Sequence, residues 1–167
     1  MATRASKPAR LLLTVVVLAS CIGCDQATKR LATARLRDLP MQSYLAGTVR
    51  LAYAQNPGGF LSFGERLSPT ARFAMFTLGN MAFLSVVAYF LLQSWSMRPA
   101  MFVGLLLLFA GGMGNLIDRL MNDGRVTDFL VLGIWPIQTG IINVADVVLT
   151  AGTLICALLY HRSAAKV

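Results

Sequence analysis

The chain has seven carboxylates: Asp25, Asp38, Glu65, Asp118, Asp123, Asp128 and Asp146. They occupy two stretches, Asp25 to Glu65 and Asp118 to Asp146, which lie between long apolar runs. If those runs cross a membrane, Asp128 (in Val126-Thr127-Asp128-Phe129) and Asp146 (in Asn143-Val144-Ala145-Asp146) sit where polypeptide meets lipid. Acids are costly at that depth, which makes both functional-site candidates. Gly133, Pro136 and Gly140 intervene, so no single helix joins them, but a loop returning to the membrane can bring them together. Two carboxyl groups held close cannot both ionise, so one pKa rises and one proton is shared. Such a dyad can take a proton from water with one member and give one to a leaving amine with the other. The competing reading is that each acid caps or anchors its own element, and spacing leaves both open.

Other polar residues cluster near the same boundaries. Asn143 precedes Asp146 by one helical turn, on the same face. The third apolar run ends in Gly111-Gly112-Met113-Gly114-Asn115-Leu116-Ile117-Asp118-Arg119, where Asn115, Asp118 and Arg119 share roughly one face. Small residues there admit a close helix neighbour, so boundary charges beside a packing face are the plain alternative. Asp25-Gln26-Ala27-Thr28-Lys29 closes the first run with Asp before Lys, the favourable order for a helix pair. Its plain reading is a surface ion pair worth a few tenths of a kcal/mol. Asn56-Pro57-Gly58-Gly59-Phe60 is a turn signal that can present Asn56 to a ligand. Cys21 and Cys24 spell C-x-x-C without a second ligand pair, and Cys156 lies in the last run; packing accounts for all three.

Positioning these groups falls to a membrane scaffold. The hydrophobic fraction is 56%, the charged fraction 13% and the mean hydropathy +0.65, outside the range of ordinary soluble domains. The apolar runs Leu11–Cys24, Phe73–Leu92, Ala100–Ile117 and Val144–Tyr160, extended by their flanking turns, predict spans near 11–29, 70–93, 99–120 and 142–160. The fold class expected is a mainly α membrane protein. It has four transmembrane helices and a small extracytoplasmic β-sheet segment between helices 1 and 2, within one domain over residues 1–167. Non-spanning segments cover about 30–69 and 121–141. In the first of these, Thr48–Ala54 has strand composition, and Ser68-Pro69 and Arg98-Pro99 supply helix starts.

The net charge of +8 forms no basic stripe interleaved with aromatics, which argues against nucleic acid. Arg4, Lys7, Arg10, Arg98, Arg162 and Lys166 fall on one side of the bilayer and the other nine cations on the opposite side. Seven of those nine lie in the long segment after span one, so the cations preceding that span favour both termini in the cytoplasm. Arg4 to Leu18 also reads as a signal peptide, and Leu18-Ala19-Ser20-Cys21 has the form of a lipoprotein cleavage site. A lipoprotein cut before Cys21 is therefore one alternative. A small ion or solute transporter with Asp118, Asp128 and Asp146 as ligands is another.

Taken together, five segments resemble the lipoprotein signal peptidases (signal peptidase II), a family of four-span aspartic endopeptidases. These are Asp25 to Lys29, Asn56 to Phe60, Gly111 to Arg119, Val126 to Phe129 and Asn143 to Asp146, and the likeness covers nearly the whole chain. The resemblance implies an Asp128/Asp146 dyad that activates water. It makes Asn56, Asn115, Arg119 and Asn143 the groups that bind substrate or orient the dyad, with Asp25, Lys29 and Asp118 in support. It implies no metal or organic cofactor, a monomer in bacterial inner-membrane lipid, and an active site at the outer face. The implied substrates are diacylglyceryl-modified prolipoproteins, cut just before the lipidated cysteine. Two departures stand out. In Asn56-Pro57-Gly58-Gly59-Phe60-Leu61-Ser62 the phenylalanine comes one position earlier than in the family, which bears on inhibitor or substrate preference, and Ile142 replaces a usual phenylalanine.

Overall fold

A computed structural model describes residues 7–59, 64, 66–93 and 97–164. Phe60, Leu61 and Ser62 of the turn segment lie outside them. Among the described residues four helices are long and apolar enough to cross a membrane: α1 (Lys7–Leu36), α2 (Pro69–Gln93), α3 (Pro99–Met121) and α4 (Val144–Ala164). Their outward residues, among them Leu12, Val16, Val86, Tyr89 and Leu158, are exposed and apolar, as a lipid-facing surface requires.

α1 is much longer than the span expected over 11–29, because Leu31, Ala32, Ala34 and Leu36 continue the helix beyond the apolar run. Pro40 follows soon after its end. α2 begins as its sequence predicts, with Ser68 Oγ accepting from Ala71 N at 3.2 Å and Pro69 in the first turn. Its stretch Phe73–Leu78 is π-helical, a wider winding that recurs at functional sites. Pro99 opens α3, although Arg98 supplies no side-chain cap.

α3 is the central helix, and its glycines set the packing. A Cβ on Gly111 would lie 2.6 Å from the Ala145 carbonyl of α4, one on Gly112 2.9 Å from Leu84 of α2, and one on Gly114 2.6 Å from Asp25 of α1. Three glycines in four residues thus admit three different helices. Along the α3–α4 seam, Gly152 lies against the Gly104 carbonyl, which a Cβ would meet at 2.8 Å.

The ends of α1 and α3 and the starts of α2 and α4 share one end of the bundle, and a four-stranded antiparallel sheet covers it. Its order is β1 (Gln42–Tyr44), β2 (Val49–Asn56), β3 (Val126–Ile134), β4 (Ile137–Gln138). The strands between α1 and α2 match expectation, but the sheet takes two more from the 121–141 segment. Asp128 therefore sits on a strand and not on a returning loop. β3 escaped notice because Val-Thr-Asp-Phe-Leu-Val-Leu is nearly continuous in apolar character and shows no alternation.

Candidate active site

Asp146 enters the site from the first turn of α4. Asn143, just before that helix, accepts from Asp146 N at 3.0 Å through Oδ1 and donates its own backbone N–H to Asp146 Oδ2 at 3.2 Å. This reciprocal cap satisfies two donors of the helix end and fixes the carboxyl direction. The other oxygen, Oδ1, accepts from Asn115 Nδ2 of α3 at 3.0 Å.

Asp128 arrives from the sheet. It pairs with Ala54 across β2–β3, which puts Asn56 two residues along on the same face, within diagonal reach. Asn56 Nδ2 donates to Asp128 Oδ2 at 2.9 Å, and Asn143 Nδ2 donates to Oδ1 at 2.6 Å. Asn143, wholly buried, thus holds both acids at once. The two carboxyl groups line one cavity of about 40 Å³ with Asn56, Asn115 and Arg119. A water needs roughly 10–15 Å³ by that measure, so the space admits one between them. Burial pushes the Asp128 carboxyl up to about 6. The Asn56 hydrogen bond opposes this, the Asp146 charge reinforces it, and Asn143 and Lys29 pull down again.

Arg119 closes the cavity from the α3 side. Its Nη2 donates to Gly58 O at 3.1 Å, its Nη1 to Asn115 O at 3.3 Å, and its guanidinium lies 5.9 Å from the centre of the Phe76 ring. The turn it grips is folded on Asn56, whose Oδ1 accepts from Gly58 N at 2.9 Å while Nδ2 reaches Gly59 O at 3.0 Å. Gly59 rests on Phe76, which a Cβ there would meet at 2.8 Å. The π-helical stretch of α2 therefore supplies the wall beneath the turn.

Behind the dyad lies a second polar cluster. Lys29 Nζ sits 2.9 Å from Asp25 Oδ2 and 3.5 Å from Asp118 Oδ2, with all three residues no more than 4% exposed. The surface ion pair expected for Asp25 and Lys29 is thus corrected to a buried one, because α1 lies close against α3 at Gly114. Lys29 also donates to Asn115 Oδ1 at 3.0 Å, and this bond turns the amide so that its Nδ2 faces Asp146. Asp25 Oδ1 accepts from Ala145 N at 2.9 Å and Asp118 Oδ2 from Thr127 N at 2.8 Å. Each supporting acid therefore holds the backbone of the residue just before one dyad acid.

All nine residues read from the sequence converge here, but the shared face of Asn115, Asp118 and Arg119 splits. Arg119 and Asn115 turn to the cavity and Asp118 turns to α1. Sequence reasoning missed Gln26, whose Nε2 donates to Asp118 Oδ1 at 3.0 Å and Gly114 O at 3.1 Å. Its polar type inside an apolar helix, beside Asp25, was the available signal. Phe76 was also missed, and nothing local marks it. A larger cavity of about 480 Å³ runs from Asp146, Asn115 and Arg119 between α2, α3 and α4 toward Phe83 and Leu154. Among the described residues no three His, Cys, Asp or Glu side chains come together to hold a metal ion.

A family model described as signal peptidase (SPase) II matches residues 17–162. The chain belongs to the signal peptidase II family. It is 35% identical over 156 residues to the lipoprotein signal peptidase of Chlorobium phaeovibrioides, covering 87% of this chain and 88% of that one. To that of Chlorobium luteolum it is 33% identical over 150 residues, covering 84% and 86%. A bacterial membrane enzyme solved by the in meso method at 2.3 Å superposes with a TM-score of 0.80 at 23% identity, over 92% of this chain and 90% of that one. The fold is shared. This signal peptidase II family member is a multi-pass membrane peptidase, as the sequence resemblance implied.

Proposed function

We propose that this signal peptidase II family member removes signal peptides from diacylglyceryl-modified prolipoproteins, hydrolysing the bond just before the lipidated cysteine with Asp128 and Asp146. The observation that carries the reading is Asn143: one buried amide holds two acids from separate elements against one water-sized cavity. In the proposed step, ionised Asp146 takes a proton from water as its oxygen bonds to the scissile carbonyl carbon. Asp128 then gives its proton to the amine nitrogen as the carbon–nitrogen bond breaks. The donated proton is assigned to Asp128, whose carboxyl burial pushes up to about 6. Arg119, at the cavity wall, offers donors to the peptide backbone, and Asn56, with both amide hydrogens engaged, orients Asp128. Asp25, Lys29 and Asp118 position the dyad without touching substrate, and the reaction uses no metal or organic cofactor.

The scaffold suits a substrate that arrives sideways through lipid. The larger cavity is mainly apolar and meets the dyad at Asp146, so it fits the acyl-bearing end of the precursor. The sheet can clamp the extended peptide from the other side. We place both termini in the cytoplasm and the sheet with its acids at the outer face of the bacterial inner membrane, acting as a monomer.

The test is purified protein with a lipid-modified precursor, with products read by mass. The expected product begins at the lipidated cysteine, and a precursor whose cysteine is replaced by serine stays intact. A cut elsewhere, or equal cutting of the unmodified precursor, removes the specificity. Wild-type rates from Asp128→Asn or Asp146→Asn remove the dyad.

A further inference from the structure

A third cavity, of about 330 Å³, lies between the second half of α1, β2 and the end of α3. Arg30 and Thr33 of α1, Arg37 just past its end, Tyr53 and Gln55 of β2, and Asn122 after α3 surround it. Thr33 and Ala34 are small, which leaves the space open between the two arginines. Its floor includes Lys29, Asp118 and Thr127. Asp118 is the one acid in the lining, and Lys29, Gln26 and the Thr127 N–H already occupy it. Among the described residues neither Arg30 nor Arg37 forms an ion pair with a carboxylate. Arg37 instead lies over the Tyr53 ring, 5.8 Å from its centre. The Arg30 and Arg37 guanidiniums therefore face a concavity whose one carboxylate is already paired, which is the chemistry of an anion site.

Depth narrows the anion to a lipid. α1 has 30 residues, so at 1.5 Å each it is about 45 Å long, against roughly 30 Å of hydrocarbon. With the apolar run crossing the hydrocarbon, the turns from Arg30 to Arg37 fall at headgroup level. Met121 of α3 lines the cavity and is 68% exposed, and Leu31 and Leu120, sequence neighbours of the lining residues Arg30 and Met121, are 59% and 64% exposed. An apolar rim next to paired guanidiniums fits a molecule with a phosphodiester at one end and acyl chains at the other.

The geometry points to this cavity as a binding site for the phosphodiester of an anionic membrane phospholipid, held by Arg30 and Arg37 with its chains against Leu31 and Met121. Occupancy braces α1 against β2 directly behind Lys29 and Asp118, where the cluster supporting the dyad begins.

The experiment is titration of the full chain, in neutral detergent, with dioctanoyl phosphatidylglycerol, dioctanoyl phosphatidylcholine and inorganic phosphate, read by native mass spectrometry. Wild type is expected to prefer phosphatidylglycerol over both others. Arg30→Gln with Arg37→Gln is expected to bind it about 30-fold more weakly, since each basic residue near a lipid surface contributes close to a factor of five. Ala34→Trp, which fills the space and keeps both charges, is expected to lose the same preference. Retention by either variant overturns the site. Phosphate binding as tight as phosphatidylglycerol overturns the lipid as its ligand.

Discussion

Four acids, three buried and Asp146 half-buried, sit within one polar cluster, yet they come in two kinds. Asp25 and Asp118 share the cation Lys29, and each accepts a backbone N–H. Asp128 accepts from two side-chain amides, and Asp146 from one such amide and one backbone N–H; among the described residues neither makes an ion pair. A neutral amide orients a carboxyl group by hydrogen bonds alone, whereas a lysine at contact distance adds an ion pair to that hold. The cluster thus separates acids paired with the buried cation from acids held by neutral donors. The catalytic reading makes that separation the basis of the mechanism.

The largest effect tests the second pair. Asp128→Asn and Asp146→Asn are each expected to lower cleavage by at least about 10³-fold, in the range of lost general acid–base catalysis, with helix content unchanged. Circular dichroism beside the cleavage assay checks both halves of that statement. The first pair answers to a different measurement. Lys29→Met leaves two buried carboxylates without their cation, and breaking a buried pair costs about 3–5 kcal/mol. Its thermal unfolding should fall well below that of Asp128→Asn, and equal stability of the two variants would erase the distinction.

A smaller effect carries the opposite sign. The Asp128 carboxyl moves from 3.8 to about 6 on folding, so the native state binds its proton more tightly than the unfolded chain does. Folding is then increasingly opposed as pH rises from about 4 to about 6, and by a constant amount above, close to 3 kcal/mol at the limit. Asp128→Asn should therefore raise the unfolding temperature at pH 8 and bring no such gain at pH 4. The gain falls short of that limit because an amide offers one acceptor where a carboxylate offers two. Asn56→Ala gives the finest test. Its hydrogen bond holds the Asp128 pKa down, so removing it should shift the alkaline limb of the pH–rate profile to higher pH. A limb that stays put would mean that Asp128 is not the group titrating in the rate.

Much of this was readable in the chain, for reasons particular to each residue. The spans showed because every lipid-facing position must be apolar, and the start of α2 showed because Ser68 and Pro69 are local signals. The nine site residues stood out because Asp, Asn, Lys and Arg are costly where these lie. What failed had a different origin. Asp25 and Lys29 read as a surface pair because helical spacing gives distance and not burial. Burial came from Gly114, 85 residues beyond Lys29, letting α1 approach. β3 was hidden because both its faces are covered, and Phe76 because its role depends on Gly59 and Arg119 meeting it.

The order of residues alone determined where the chain enters lipid, which helix ends carry acids and which types of group are available for chemistry. These follow from side-chain transfer costs and from contacts within a turn or two, which any stretch of chain expresses independently. Only the folded bundle decided which acids received Lys29 and which received neutral donors, since Asn56 reaches Asp128 across 72 positions and Asp25 reaches Ala145 across 120. Those partnerships exist once the glycines of α3 have drawn three helices together and the sheet has closed over their ends. An acid's charge is set by what surrounds it in space.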